Sequence, residues 1–429
     1  LAAYHAARAD GDDSARAAAA HEFLGLPKTH LRLAQKGNFR KRLGHLLAHR
    51  PTPVTTSTST PDPLGDKRAT AKATALFRQG LRKAAIKSLA REATSDEAPT
   101  GHVDELRRLH PSGPAPPRLA VRNSRRIVVD PETVCETTKK LLSQAAPGPD
   151  GWTGELLDVL TSDPVCVTGL ADLLSDIANN DVPPCVADRL RACRLIAIPK
   201  PTGGIRPIAM GSALIKLAST IVMEQHRDVL EAHFFPIQFG VLRAGGAESA
   251  IHTVRAAMTP DCVVATLDAA NAFNVPDRVA IADAVSDHKF AFAHRLFDFE
   301  YGVASKLYGP NDVTLASTRG VRQGSVLGGL FFALAIHPML SRASSRFSNV
   351  RIVAYLDDIT LVGPANAVRD AARYIEEELN AIGIALNHAK CEWLGDSRPD
   401  GFSAPSIDGG IKVLGACVTQ QNSDASRPR

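Results

Sequence analysis

Asp357 and Asp358 are adjacent carboxylates that stand between two apolar runs, residues 351–355 and 359–363. These runs and the acidic pair between them predict a β-hairpin with the acids at its bend. Two ionised neighbours repel each other, and apolar flanks withdraw them from water, so a divalent cation is the natural counter-charge. Aspartate is also a common turn residue that caps its own backbone, and the pair by itself leaves both interpretations open.

A third acid, Asp268, ends a strand-like run over residues 262–267. Pro276 and Asp277 then indicate the start of a helix. A strand that ends in aspartate can present its carboxylate at a sheet edge, beside a hairpin that carries Asp357. Three carboxylates from two strands can bridge two Mg²⁺ ions, with Mn²⁺ as a possible substitute. Polymerases use such an arrangement to activate a 3′-hydroxyl and to stabilise the departing pyrophosphate.

Six short motifs occur in a fixed order between about residues 145 and 417, and the order is more specific than any one motif. They are Ala-Pro-Gly-Pro-Asp-Gly-Trp at 146–152, Ile-Pro-Lys-Pro-Thr-Gly-Gly-Ile-Arg-Pro-Ile at 198–208, Gln-Phe-Gly-Val at 238–241, the block that contains Asp268, Gly-Val-Arg-Gln-Gly-Ser at 320–325, and Tyr-Leu-Asp-Asp at 355–358. With these motifs the chain resembles the reverse transcriptases of non-LTR (LINE-type) retrotransposons. Within that lineage it is similar to the site-specific elements of trypanosomatid protists.

The resemblance implies an RNA-directed DNA polymerase whose partners are an RNA template, a DNA primer and dNTPs. It also implies an α+β, right-hand polymerase fold, with fingers beside a palm whose antiparallel sheet is backed by helices. In such a site Asp268 and Asp357 would be the bridging metal ligands and Asp358 the more peripheral one.

Further residues at family positions are expected to handle the nucleotide and the primer. Lys200 and Arg206 flank a Pro-Thr-Gly-Gly turn, and on a two-stranded finger they would contact the triphosphate. Two solvated basic residues on a loop would be the alternative without the resemblance. Lys390 matches the position proposed to protonate the departing pyrophosphate. Leu414 and Gly415 lie in a segment that resembles the hairpin that grips the primer end.

Phe273 lies where the resemblance implies a bulky residue that excludes a 2′-hydroxyl, which favours deoxynucleotides. An aromatic residue at the start of a helix is usually part of the core, and Phe273 is compatible with both roles. Gln323 and Gly324 are expected to shape the nucleotide pocket, since the amide can bond near the nucleotide and glycine admits close backbone approach. Val326 stands where many relatives have proline, which leaves the start of the following helix open.

A basic stripe is predicted near the start of the chain, where Lys28, Arg32, Lys36 and Arg40 recur every four residues. On a helix these side chains would share one face and bind RNA phosphates. A solvated helix face is an equally good interpretation, and Gly37 weakens the helix itself.

Composition, charge and the positions of the motifs predict that the 429 residues form six segments. They are a basic helical extension at 1–50, a Pro/Ser/Thr linker at 51–65, a second basic helical extension and linker at 66–118, the fingers at 119–229, the palm at 230–418 and a polar tail at 419–429. A thumb would normally follow the palm and is missing after residue 418, and the chain begins with leucine rather than methionine. We therefore interpret the sequence as a fragment.

Composition limits the remaining classes. A net charge of +5, with 44% hydrophobic and 22% charged residues, is typical of a globular protein. No apolar run is expected to be long enough to span a bilayer, so no membrane partner is predicted. The seven cysteines have no paired ligand spacing. We therefore expect no zinc site and an intracellular location, and the resemblance implies a nuclear location during integration.

Two functions from other classes stay open. The first is a non-catalytic, maturase-like RNA-binding protein, which would carry a helical domain after the palm and could lose the acids. The second is an inactive, truncated product of a retroelement, which decay or an incomplete gene would explain.

Overall fold

The computed structural model describes residues 1–29, 102–119, 126–141, 146–200, 203–405, 407 and 409–419. Helices and strands mix along these ranges, as the predicted α+β class requires. The helices are α1 (Ala2–Ala9), α2 (Asp13–Thr29), α3 (Val103–Leu109), α4 (Pro131–Lys140), α5 (Gly154–Leu160), α6 (Pro164–Ala178), α7 (Pro184–Arg191), α8 (Ala213–Gln225), α9 (Arg227–Phe234), α10 (Gly246–Ala257), α11 (Arg278–Val285), α12 (Ala291–Glu300), α13 (Val326–Arg346) and α14 (Ala365–Ala381). The strands are β1 (Cys193–Pro199), β2 (Ile205–Met210), β3 (Val263–Leu267), β4 (Ser305–Tyr308), β5 (Thr314–Ser317), β6 (Arg351–Tyr355), β7 (Asp358–Gly363), β8 (Glu392–Leu394), β9 (Gly410–Val413) and β10 (Ala416–Thr419).

A four-stranded antiparallel sheet, the palm sheet, has the order β6-β7-β3-β8. Most residues of its strands are apolar because both faces are covered. Ala265 and Leu361 belong to the main core with the residues of α13 and α14. Val264 and Val362 point to a smaller core that includes residues of α10 and of the β9–β10 hairpin. The predicted antiparallel palm sheet backed by helices is therefore confirmed.

The second four-stranded sheet, the fingers sheet, has the order β2-β1-β4-β5. β1 and β2 form an antiparallel hairpin. β4 joins β1 in parallel, with Leu307 opposite Cys193. The chain thus returns to this sheet after building part of the palm, so the sheet draws strands from both sides of the predicted boundary at 229/230. The division into fingers and palm at that residue stays a prediction.

The first 29 residues pack on the helical part of the fingers. The Tyr4 hydroxyl donates to the Asp176 carboxylate on α6 at 2.8 Å, and Arg8 donates to the same carboxylate at 3.0 Å. The Phe23 ring stacks on Trp152 at 4.5 Å. Lys28 is exposed near the end of α2. Of the predicted RNA-binding stripe only this lysine is described. The other three residues, Arg32, Lys36 and Arg40, lie outside the described residues, as does the linker at 51–65.

Residues 102–119 lie against the elements that carry the predicted site. The Glu105 carboxylate accepts a hydrogen bond from the Ile205 N–H at the start of β2, at 3.3 Å. The carbonyl of Leu109 accepts one from the Asn271 side chain, in the loop after Asp268, at 2.8 Å. This stretch therefore connects the β1–β2 hairpin with the end of β3.

Helix α13 corrects one sequence expectation. By length and composition it could span a membrane, since its 21 residues contain an apolar stretch of mean hydropathy 1.4, although no run of this kind was expected. Most of that stretch, 67%, is buried within the protein, and a helix that crosses a core is apolar all round. Ser325 caps the helix by accepting the Gly328 N–H at 3.2 Å. This places the start of the helix at Val326.

Candidate active site

Asp268 lies at the edge of the palm sheet, directly after the last residue of β3. Its carbonyl oxygen accepts a hydrogen bond from the Asn387 N–H at 2.8 Å. Its own N–H donates to the sulfur of Cys391 at 3.4 Å. Both partners belong to the segment between α14 and β8, so two contacts from one neighbouring segment fix the backbone that carries this carboxylate.

Asp357 and Asp358 lie where β6 turns into β7. The hairpin pairs Tyr355 with Asp358, and Asp357 is the second of the two turn residues between them. β3 runs antiparallel beside β7. The last pair of their register, Leu267 with Ile359, places Asp268 and Asp358 at the same end of the two strands, where both line one cavity. The fold therefore brings the three predicted carboxylates to one end of the palm sheet.

The electrostatics of the three acids reflect this proximity. Burial, and then the charge of Asp358, raise the pKa of Asp357 to about 6, and Asp268 contributes in the same direction. The positive charge of the Arg206 guanidinium lowers the pKa of Asp357 and offsets part of this rise. Burial, followed by the charge of Asp268, also raises the pKa of Asp358. The turn thus concentrates negative charge that its own surroundings only partly balance.

A cavity of about 500 Å³ opens between the palm sheet and the β9–β10 hairpin. Four of the predicted site residues line it: Asp268, Asp358, Lys390 and Leu414. Lys390 is exposed on the short helix before β8. Two further charged residues of this cavity, Glu392 and Lys412, were not anticipated from the sequence. Lys390 therefore shares this cavity with two of the three carboxylates, and its role as a proton donor stays a prediction.

The β9–β10 hairpin carries the predicted primer grip. Leu414 and Gly415 form its two-residue turn, with φ of +47° and +87°. Leu414 faces the same cavity as Asp358, whereas Gly415 is exposed. The turn therefore shares a cavity with Asp268 and Asp358, and its contact with a primer stays a prediction.

The fingers hairpin carries the two predicted triphosphate ligands. The Lys200 N–H donates to the Gly204 carbonyl at 2.9 Å, which closes the turn between β1 and β2. Arg206 is exposed on β2, and its charge reaches Asp357. Arg206 therefore lies near enough to act on the charge of Asp357, and Lys200 lies at the tip of the same hairpin. Their contact with a nucleotide stays a prediction.

Phe273 is half-buried, and its ring stacks on Phe332 of α13 at 5.0 Å with an interplanar angle of 23°. Its carbonyl accepts the Val321 N–H at 2.7 Å. The ring therefore packs on the main core and keeps part of its surface open, which is compatible with both roles considered for it. Its action as a gate against ribose stays a prediction.

Gln323 and Gly324 contact the fingers hairpin directly. The Gln323 carbonyl accepts the Ala209 N–H of β2 at 2.8 Å. Gly324 has φ of +113°, and a Cβ added there would lie 2.8 Å from the Ala209 carbonyl oxygen. Glycine is thus required at this position by its backbone conformation and by β2 itself. The predicted part of Gly324 in shaping a nucleotide pocket stays a prediction.

We expect Gly324→Ala to lower stability by about 1–3 kcal/mol, because the new Cβ strains the backbone against β2. Urea unfolding measures this change, and nucleotide KM should rise with it if the loop shapes the pocket. Gly329→Ala is the matched control, since its Cβ would meet only ordinary contacts at 3.7 Å or more. Equal stability losses in the two variants would contradict the expectation.

The chemistry of the three carboxylates fits a hard divalent cation, which prefers oxygen ligands and offsets the repulsion between them. Within the part of the chain that the structure describes, no three His, Cys, Asp or Glu residues already form a metal-ion ligand set. The fit therefore rests on the type and charge of the donors at this end of the sheet.

Asp357 makes stability depend on pH. Its pKa is raised from 3.8 to about 6 in the folded chain, so the folded state binds more protons than the unfolded state between these values. The ionised carboxylate then destabilises the fold above about pH 6, and this effect fades as pH falls towards 4. In metal-free buffer we expect Asp357→Asn to be more stable than the parent at pH 8 by about 1–2 kcal/mol, after allowance for partial solvent screening.

Unfolding of both proteins in urea with a chelator, between pH 4.5 and 8, measures this difference. It should shrink towards the acid end of the range. A stability difference that stays constant with pH would show that ionisation of Asp357 does not cause it.

Two contacts near the site were not predicted from the sequence. Gln238 bonds to the backbone of Leu356, and a buried ion pair joins Arg322 to Glu300. Gln238 and Arg322 lie within the ordered motifs, which gave them no role. Glu300 carried no signal, since nothing in a helical segment shows that its carboxylate is buried.

Comparison with known proteins supports one family. Residues 198–415 match the family model described as reverse transcriptase (RNA-dependent DNA polymerase). The 132 kDa protein of the retrotransposable element SLACS from Trypanosoma brucei gambiense is 37% identical over 302 residues, which are 69% of this chain. The chain spans 25% of the length of that relative.

Among solved structures, telomerases are similar. The structure of telomerase from Candida albicans with a fragment of telomeric RNA has a TM-score of 0.43 at 12% identity, and covers 56% of this chain and 47% of the telomerase. An apo telomerase from Candida tropicalis, truncated from its C-terminal domain, has a TM-score of 0.39 at 14% identity, with 54% of each chain covered.

Proposed function

This chain belongs to the reverse transcriptase family, and we propose that it extends a DNA primer on an RNA template for a non-LTR retrotransposon of the trypanosomatid kind. The observation that carries the proposal is the register of the palm sheet. It pairs Leu267 with Ile359, so that Asp268 and Asp358 lie at the same end of β3 and β7, with Asp357 in the adjoining turn. Reverse transcriptases generally use divalent metal ions, and three acids at the end of one sheet supply suitable ligands.

We infer that Mg²⁺ is the ion, with Mn²⁺ as a substitute, and that Asp268 and Asp357 hold it most directly. When bound, two such ions activate a primer 3′-hydroxyl and stabilise charge on the leaving pyrophosphate. Arg206 and Lys200 would bind the triphosphate from the fingers side. Lys390 would give a proton to the departing group across the shared cavity.

We also propose roles for the residues expected to contact the sugar, the primer and the RNA. Phe273 would exclude a 2′-hydroxyl from the sugar site, and Leu414 and Gly415 would hold the primer end. Lys28, with the rest of the predicted basic stripe, would bind RNA phosphates. We further propose that the protein acts inside the cell, in the nucleus during integration.

Primer extension on an RNA template with dNTPs and Mg²⁺ tests the proposal. We expect extension with dNTPs, far slower extension with ribonucleotides, and none in the presence of a chelator. Template binding without any extension would favour the non-catalytic, maturase-like alternative. Equal use of both sugar classes would remove Phe273 from the proposed role while leaving polymerase activity in place.

A further inference from the structure

A short segment lies beside the edge strand that leads to the catalytic turn. The Ala354 N–H of β6 donates to the Ile237 carbonyl at 2.8 Å, and the Phe239 N–H donates to the Ala354 carbonyl at 2.8 Å. This places Gln238 alongside Ala354 in parallel. Because these two segments run in the same direction, the side chain of Gln238 lies near the residues that follow β6.

The Gln238 side chain binds both backbone groups of Leu356. Its Oε1 accepts the Leu356 N–H at 2.7 Å and also the Gly240 N–H at 3.0 Å. Its Nε2 donates to the Leu356 carbonyl at 3.3 Å. The residue is only 2% exposed, so these hydrogen bonds form away from water, where losing a partner is most costly.

Leu356 needs such support because its backbone is in an unfavourable conformation. Its φ is +54°, in the left-handed region that residues with a branched side chain seldom adopt. Gly240 in the neighbouring segment packs closely against this backbone, since a Cβ added there would lie 2.8 Å from the Leu356 nitrogen. Leu356 is the first turn residue, and Asp357 and Asp358 follow directly.

We propose that Gln238 is a positioning residue that fixes the direction of the Asp357 and Asp358 carboxylates by clamping Leu356. One side-chain amide offers both an acceptor and a donor, which match the two backbone groups of a turn residue. The clamp therefore acts on the acids through the backbone of the turn and does not touch the nucleotide. This inference rests on the proposed polymerase function.

Gln238→Leu tests the clamp, because it keeps a similar volume and removes all three hydrogen bonds. We expect kcat for single-nucleotide extension to fall by about 100-fold, as for a misplaced catalytic group. KM for the primer–template should change by less than about twofold, since phosphate contacts elsewhere dominate that affinity. The Mg²⁺ concentration that gives half-maximal rate should rise.

A second measurement does not depend on activity. Without metal or nucleic acid, amide hydrogen exchange in the peptide that contains Leu356 should speed up by at least about tenfold in Gln238→Leu, because the N–H loses its partner. Gln225→Leu is the matched control. It removes an exposed amide that donates to the Val128 carbonyl at 3.4 Å, and we expect parental kcat and exchange in the turn.

Gln238→Glu keeps the test informative if the leucine variant does not fold. Its carboxyl retains an acceptor for the Leu356 N–H and, when ionised, loses the donor to the Leu356 carbonyl. We expect a smaller loss of kcat, about tenfold, with faster exchange in the turn. A folded variant with parental kcat, Mg²⁺ dependence and exchange would overturn the proposal. If the parent protein itself does not extend primers, the proposed function fails, and the exchange experiment still decides the clamp.

Discussion

Asp357→Asn is expected to lower kcat for primer extension by at least about 10³-fold, which corresponds to about 4 kcal/mol of lost transition-state stabilisation. The amide has the shape of the carboxylate and removes its charge, so the turn should persist. The charge matters because Asp357 lies beside Asp358 and Asp268, where a divalent ion needs anionic oxygen ligands. Single-turnover extension on an RNA template, across a range of Mg²⁺ concentrations, measures the loss.

Two controls separate chemistry from binding and folding. Affinity for the primer–template should stay within about threefold of the parent value, since phosphate contacts carry it. Asp370→Asn removes an exposed aspartate that pairs with Arg373 on the surface of α14, and it should leave kcat unchanged. Extension by Asp357→Asn at the parental rate would show that this carboxylate is not a metal ligand for the reaction.

That the three acids lie at one end of the palm sheet was predictable in part from local pattern and in part from the family motifs. Strand-like runs end at Asp268 and turn at Asp357, and apolar residues that fill both faces of a strand require a covered sheet. Once both strands belong to one antiparallel sheet, their ends meet at one edge. The family motifs supplied the order in which these strands pair, which alternation alone does not specify.

The contacts that support the site were not predictable in the same way. Gln238 reaches Leu356 across 118 positions of sequence, and that contact exists only after residues 237–239 have docked on β6. The return of β4 to the fingers sheet is also a tertiary event, since its four residues carry no signal of their partner. Likewise, the packing of α1 on α6 depends on Asp176, whose burial no local pattern shows.

Arg322→Met should destabilise the fold by about 3–5 kcal/mol, because it leaves the Glu300 carboxylate buried without its counter-ion. The guanidinium of Arg322 pairs with Glu300 and donates to the Ser305 hydroxyl at 2.9 Å. It also lies over the Tyr301 ring at 4.8 Å. The Arg322 and Glu300 side chains are 3% and 0% exposed, so water cannot replace the missing partner.

A double variant distinguishes a lost ion pair from lost packing. Arg322→Met combined with Glu300→Leu removes both charges, and we expect it to recover most of the stability lost in the single variant. Arg373→Met, which breaks an exposed pair with Asp370, should cost about 0.5 kcal/mol or less. Urea unfolding of all four proteins, parent included, measures these differences in the free energy of unfolding.

The stable double variant also shows whether the Arg322–Glu300 pair positions the Gln323–Gly324 loop, which is predicted to shape the nucleotide pocket. Ser325 donates to the Glu300 carboxylate at 3.0 Å and caps α13, so the Arg322–Glu300 pair joins both ends of the Gln323–Gly324 loop. If the double variant is stable but has a raised nucleotide KM, the charges position the loop as well as balancing each other. If KM stays at the parental value, apolar packing is sufficient to hold Gly324 against β2, and the pair contributes stability alone.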